Sequence, residues 1–292
     1  MKKVGLLLLL VYLADTGLVA QTFFGSTPCD NPVIGKFLNI SPNLPCELMK
    51  WKVTLTPNVK SGTAINFEII VSFGMSLQNT NGLIDGGTKT IVNGICKVIP
   101  GYQGTPLASV LQLHDSKSGA YISFVKVNEN LLQLLGPEND LAVGNPSWSY
   151  TLNSTTKNEI NYTIENSTTT NKEAMDGVFE GKTPCSEIAT QLQKKTGQDC
   201  IKLKWRIFFD KSSMTYKMDG SFYREQPRLG KFKMLQGIPS NPEAVVIQLD
   251  PENQDKSIYL LKGDNNILFL LDKYKKYYVG NEDFSFTLNR VR

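Results

Sequence analysis

VGNPSWSYTLN occupies residues 143–153, and VGNEDFSFTLN occupies residues 279–289. The second phrase repeats Val, Gly, Asn, Ser, Thr, Leu and Asn of the first in the same places. Extended backward, Cys96 to Asn153 aligns without a gap on Phe232 to Asn289, at a constant offset of 136, with 20 of 58 positions identical. Substitutions keep their character: Phe284 replaces Trp148, and Phe286 replaces Tyr150. Self-similarity at one long period is the mark of a duplicated unit.

The openings of the two halves match as well. FFGSTPC (23–29) lies on FEGKTPC (179–185), and LPCELMKWKV (44–53) lies on QDCIKLKWRI (198–207). The offset falls from 154 at the tryptophans to 136 later. The first copy therefore carries about 18 extra residues before Cys96, placed by composition in the Asn- and Gly-rich stretch 78–90 as a long hairpin loop. The organisation expected is a leader at 1–20, repeat one at 21–153, a polar Asn- and Thr-rich linker at 154–178, and repeat two at 179–292. Within the linker, NYTIE (161–165) has the composition of an edge strand.

Each repeat reads as strands. In IKLKWRIFF (201–209), Ile201, Leu203, Trp205 and Ile207 alternate with Lys202, Lys204 and Arg206, a period of two with one face in a core. MKWKVTL (49–55) does the same through Met49, Trp51, Val53 and Leu55. Further short strands follow, separated by Asp219-Gly220, Gly263-Asp264-Asn265 and Gly280-Asn281. Successive strands on tight turns form an antiparallel meander, and closure into an up-and-down barrel removes its exposed edges. The fold class expected is all-β: two tandem small antiparallel meander barrels, lipocalin-like, with Trp205, Phe269, Phe284 and Phe286 filling the second. One short helix per repeat is expected, with Thr183 as N-cap and Pro184 as its first residue in the second, and with Pro32 opening the matching segment in the first.

The first residues, MKKVGLLLLLVYLADTGLVAQ, combine a basic start, an apolar run of about ten residues and a small-residue site before Gln21, the pattern of a secretory signal peptide. That run is too short for a bilayer, which needs about 20 residues. The expectation is a protein exported to the periplasm or the cell exterior of a bacterium, with no transmembrane segment and no lipid anchor.

The second half resembles the N-terminal domain of the NlpE family, small bacterial envelope barrels linked to copper tolerance and envelope-stress signalling. The resemblance rests on FEGKTPC, the Lys-Trp strand after the next cysteine, GKFKML (230–235) and the closing apolar strand pairs. It covers most of 179–290 and, more faintly, 23–153. It implies a cell-envelope barrel of the copper-resistance family, here as a tandem duplication. Family members carry a Cys-x-x-Cys and a lipidated N-terminal cysteine. This chain has neither, so a metal or thiol-redox role is not carried over.

There are five cysteines. Repeat symmetry pairs Cys29 with Cys46 and Cys185 with Cys200, each bracketing the short helix, as disulfides suited to an oxidising compartment. Cys96 aligns with Phe232 and is expected as a buried free thiol acting as a small hydrophobe.

The chemistry that remains is sparse. His114 is the one histidine, and its repeat equivalent is Asp250, so triads built on a histidine base and histidine-ligated metals lack their parts. Asp85-Gly86-Gly87 is not followed by the Lys-Ser/Thr of a phosphate-binding loop. No catalytic, metal or cofactor-binding residue is assigned and no cofactor is expected. A paired-carboxylate hydrolase is the least favoured alternative. All five arginines lie in the second repeat. The run Lys273-Tyr274-Lys275-Lys276-Tyr277-Tyr278 reads either as a contact for anionic envelope material or as a hairpin tip with packed tyrosines. Export and the modest basic excess argue against nucleic acid. The expected function is a non-catalytic binding or sensing module of the envelope, for an unknown envelope protein or small ligand. A structural or protein-interaction scaffold is the alternative. The 78–90 insertion and the 273–278 run are the candidate contact places.

Overall fold

The computed structural model describes residues 20–57, 65–103, 105–156, 168–169, 173–197 and 200–291. The expected leader up to residue 19 and most of the expected polar linker, including NYTIE, lie outside the described residues.

The first barrel is built from β1 (Gln21–Pro28), β2 (Leu48–Pro57), β3 (Ile65–Gly74), β4 (Thr88–Tyr102), β5 (Thr105–Asp115), β6 (Tyr121–Asn128), β7 (Leu131–Leu134) and β8 (Thr151–Ser154). Each strand pairs antiparallel with the next, and β8 returns to β1 through Phe24↔Asn153, closing the barrel. A two-residue strand, β9 (Thr168–Thr169), lies on the outside of the second barrel against Leu235 and Gln236. The second barrel runs β10 (Gly177–Thr183), β11 (Leu203–Asp210), β12 (Thr215–Gly220), β13 (Arg228–Ile238), β14 (Asn241–Leu249), β15 (Ile258–Lys262), β16 (Ile267–Leu271) and β17 (Thr287–Arg290). It closes in the same way, through Glu180↔Asn289. The two closed eight-strand meanders in tandem are the all-β architecture that the alternation implies.

The inward rows follow the period of two. Met49, Trp51, Val53 and Leu55 are buried from β2, and Leu203, Trp205, Ile207 and Phe209 from β11. Ile201 departs from its expected place and is 58% exposed, because the strand begins only at Leu203, beyond the disulfide at Cys200. The Thr-Pro-Cys openings are explained by the tryptophans. Trp51 Nε1 donates to Thr27 Oγ1 and Trp205 Nε1 to Thr183 Oγ1, both at 2.8 Å. A buried indole N–H needs an acceptor, and the threonine on the neighbouring strand supplies it.

That use of Thr183 corrects the expected helix start. Helix α1 (Pro32–Phe37) is capped by Asn31, whose Oδ1 accepts from Val33 N–H at 2.9 Å, with Pro32 in the first turn. Helix α2 (Ser186–Gln191) starts after Cys185, and Thr183 is the last residue of β10.

The barrels also share a third core. Val110, Val125, Leu135 and Leu141 of the first barrel join Leu235, Val246, Leu261, Phe269 and Leu271 of the second in one buried cluster. Phe269 therefore faces the other barrel and not its own interior. Val110, Val125 and Leu135 are the repeat equivalents of Val246, Leu261 and Leu271, so like meets like across a pseudo-twofold axis.

The duplicated phrase lies on that axis. Ser149 Oγ meets Ser285 Oγ at 2.6 Å, and Thr151 Oγ1 meets Thr287 Oγ1 at 2.8 Å. Gly144 N–H donates to Asn289 Oδ1 at 2.8 Å, and Gly280 N–H donates to Asn153 Oδ1 at 2.9 Å. The asparagine amides return the bond: Asn153 Nδ2 donates to the Asn281 carbonyl at 3.0 Å and Asn289 Nδ2 to the Asn145 carbonyl at 3.3 Å. A Cβ on Gly280 would stand 2.1 Å from the Phe284 carbonyl oxygen and 2.8 Å from Asn153 Oδ1, so the close approach requires glycine. Asn145 and Asn281 use their own Oδ1 to hold the following turn, at 2.8–3.0 Å from the backbone N–H groups of Ser147, Trp148, Asp283 and Phe284.

Candidate functional site

The disulfides Cys29–Cys46 and Cys185–Cys200 span Cα–Cα distances of 5.7 and 6.0 Å, each bracketing one helix. Cys96 is free and buried, inside the first barrel, and burial pushes its thiol up to about 11. It is therefore an unreactive packing group. Among the described residues no helix is long and apolar enough to cross a membrane, and no three His, Cys, Asp or Glu side chains gather as a metal site.

His114 lies on the outer face of β5. Its Nε2 is 2.7 Å from Gln112 Oε1, and its ring lies 5.3 Å from that of Tyr121. Burial and the Lys97 charge lower its pKa, which favours the neutral imidazole. Among the described residues its ring hydrogen-bonds Gln112 and no carboxylate.

The extra residues of the first repeat are not all in a loop at 78–90: residues 88–90 belong to β4, and β3 and β4 are longer than β12 and β13. The loop before β4 reaches the other barrel, where Asn81 Nδ2 donates to Asp283 Oδ2 at 3.0 Å. Of the 273–278 run, Tyr277 packs edge-on against Phe269 and Tyr278 stacks on Phe286 with centroids 4.7 Å apart. The run thus packs two of its three tyrosines, while Tyr274 is 48% exposed beside Lys273.

On the first barrel a cleft of about 790 Å³ opens between α1, the β5–β6 turn and the loop after β7. Ile99, Gln112, Ser123 and Leu135 line it from the sheet, Val33 and Phe37 from the helix, and Lys36 brings one positive charge. The second barrel has a related hollow between α2, the 254–257 turn and Asp272, of about 380 Å³. There Tyr278 hydrogen-bonds Gln191, and Gln191 Nε2 reaches the Ser257 carbonyl at 3.4 Å, so α2 is tied to the barrel. The equivalent of Tyr278 is Ala142, which carries no group to make that tie. The equivalents of Gln112 and Ser123 are Gln248 and Tyr259. Tyr259 is 9% exposed and accepts from Gln248 Nε2 at 3.1 Å. A tyrosine ring thus stands in the second barrel where Ser123 leaves room in the first.

A half-buried ion pair marks the second barrel. Arg228 Nε donates to Asp250 Oδ2 at 2.9 Å, Tyr216 Oη donates to the same oxygen at 2.8 Å, and Arg228 also reaches the Lys256 carbonyl at 2.6 Å. Burial pushes the Tyr216 phenol far above its usual range, with the Arg228 charge opposing. A Cβ on Gly230 would lie 2.0 Å from Asp250 Oδ1, so GKFKML opens with glycine to admit the carboxylate. Every group in this cluster has a partner, which makes it a structural pin.

Compared with known proteins, the chain finds no match among family models, curated proteins or solved structures.

The cleft was not legible as a site. Its residues are scattered from Pro32 to Asn139, and none belongs to a recognisable motif. The available signal was the small residues Ser123 and Ala142 standing against Tyr259 and Tyr278 at matching positions of the repeat.

Proposed function

We propose that the chain is an exported, non-catalytic binding or sensing module of a bacterial envelope, with its ligand seat in the α1 cleft of the first barrel. The observation that carries this reading is the contrast between duplicates. One scaffold was copied. One copy narrows the hollow to about 380 Å³ with Tyr259 and the Tyr278–Gln191 bond, and the other leaves about 790 Å³ open. Volume and lining fit a small amphipathic molecule, with apolar walls, a few polar groups for orientation and Lys36 for an anionic end. The leader pattern, the two disulfides and the resemblance to NlpE support an envelope location. The absence of a Cys-x-x-Cys keeps copper out of the proposal.

The test uses the amphipathic anion 8-anilinonaphthalene-1-sulfonate and decanoate as a competitor. Saturable one-to-one binding is expected, with displacement by decanoate and loss in Ser123→Tyr, a ring the repeat already accommodates at Tyr259. Binding unchanged in that variant, or no saturable binding, refutes the cleft. The second reading, an interaction scaffold, rests on the exposed outer face that carries Ile91, Ile95 and Tyr121, about half exposed each. Specific capture of an envelope protein, lost in Ile95→Lys, would support it.

A further inference from the structure

The seam between the barrels is symmetric in its hydrogen bonds and asymmetric in its charges. On one side Lys50 Nζ pairs with Asp283 at 2.8 Å, Asn81 serves the other oxygen of that carboxylate, and Ser26 Oγ donates to the Glu282 carbonyl. On the other side the repeat equivalents of Ser26, Leu48 and Lys50 are Lys182, Lys202 and Lys204. The equivalent of Asp283 is Ser147. One lysine with one carboxylate on the first side thus becomes three lysines with none on the second.

The geometry sets two of these lysines side by side and brings the third near enough for its charge to act on Lys182. Lys182 and Lys204 are cross-strand partners in the β10–β11 register. Lys182 Nζ donates to Ser147 Oγ at 2.8 Å and lies 5.5 Å from the centre of the Trp148 ring. Lys202 Nζ lies 5.7 Å from the Phe284 ring, the repeat equivalent of Trp148. The nearest acid along β10, Glu180, is engaged by Arg206 at 3.1 Å. Among the described residues no carboxylate lies within ion-pair distance of Lys182, Lys202 or Lys204. Burial lowers the Lys182 pKa to about 8, and repulsion from Lys202 and Lys204 adds to it. A cluster of like charges held at a partly buried seam is unfavourable unless an anion joins it.

We propose that Lys182, Lys202 and Lys204, with Ser147 and Trp148, form a binding site for an oxyanion, a phosphate or carboxylate group standing where the Asp283 carboxylate stands on the opposite side of the axis. The site goes beyond the α1 cleft and does not depend on it. A phosphate offers several acceptor oxygens to the three ammonium groups, and Ser147 has a hydroxyl proton to donate.

The full chain supplies the assay. Trp148 is half-buried at the site, whereas Trp51 and Trp205 are fully buried in the barrels. Titration with inorganic phosphate should change the fluorescence saturably, and Trp148→Phe should remove the change. Lys182→Met should weaken phosphate by about tenfold or more, the worth of one charged hydrogen bond. Ser147→Asp supplies the missing carboxylate internally. It should abolish phosphate binding while raising the unfolding temperature, a pairing that a merely damaged fold would not give. Flotation with phosphatidylglycerol vesicles separates the two sources of the group: binding to vesicles alone assigns a lipid headgroup, and binding of phosphate in solution assigns a soluble anion. No binding in either arm overturns the site, as does binding that Lys182→Met and Ser147→Asp leave unchanged. Loss of 8-anilinonaphthalene-1-sulfonate binding in Ser123→Tyr with phosphate binding retained keeps the failure of one site distinct from that of the other.

Discussion

Replacing Asn153 by alanine tests whether the duplicated phrase is an interface or merely an inherited ending. Asn153 is 2% exposed, and its side chain accepts from Gly280 N–H at 2.9 Å and donates to the Asn281 carbonyl at 3.0 Å. Asn153→Ala removes both bonds and leaves a donor and an acceptor of the other barrel without partners. A buried polar group so orphaned costs about 1–3 kcal/mol, so the pair should cost about 3 kcal/mol. At about 2–4 °C per kcal/mol for a unit of this size, the unfolding temperature should fall by about 6–12 °C. Asn289→Ala, which faces Gly144 and Asn145, should fall by a similar amount. The assay is urea and thermal unfolding followed by tryptophan fluorescence in a Trp148→Phe background, where Trp51 reports the first barrel and Trp205 the second. Because the shared core couples the barrels, both indoles should respond at one midpoint, and Asn153→Ala should move both. A loss below about 0.5 kcal/mol, the size expected of an ordinary surface change, would refute the interface. So would separate midpoints of which Asn153→Ala shifts one.

Three further outcomes follow from the same geometry. Replacing Cys185 and Cys200 by serine should lower stability by about 3 kcal/mol in urea unfolding, the chain-entropy value for a loop of this length, while Cys96 stays unreactive to a thiol reagent at pH 8 until the protein unfolds. Lys182 has a folded pKa of about 8 against an ordinary value of 10.5. The folded protein releases that proton first, so between about pH 8 and 10.5 the unfolded chain holds more protons and stability rises with pH. The wild type should gain more stability across that window than Lys182→Met, and equal slopes would contradict the shift.

What the sequence by itself determined was local or repeated. Alternation in MKWKVTL and KLKWRIF gave strands with one buried face, and the 136-residue offset gave two copies. The matching cysteines gave the two bridges, because equivalent positions in equivalent folds lie at equivalent distances. What only the tertiary structure decided depends on residues far apart in the chain. Phe269 and Leu271 face the partner barrel because a second surface covers them. The continuous runs SIYLL (257–261) and NILFLL (266–271), apolar on both faces, carried that signal, since a strand buried on one face alone would alternate. The α1 cleft depends on what Ser123 and Ala142 lack, and an absence becomes a cavity only once the surrounding walls are fixed. The phrase VGN…S…T…N recurs because its glycines, serines, threonines and asparagines bind their own counterparts across the axis. Identity between two stretches is visible in sequence, whereas their contact is made by the folding of both barrels.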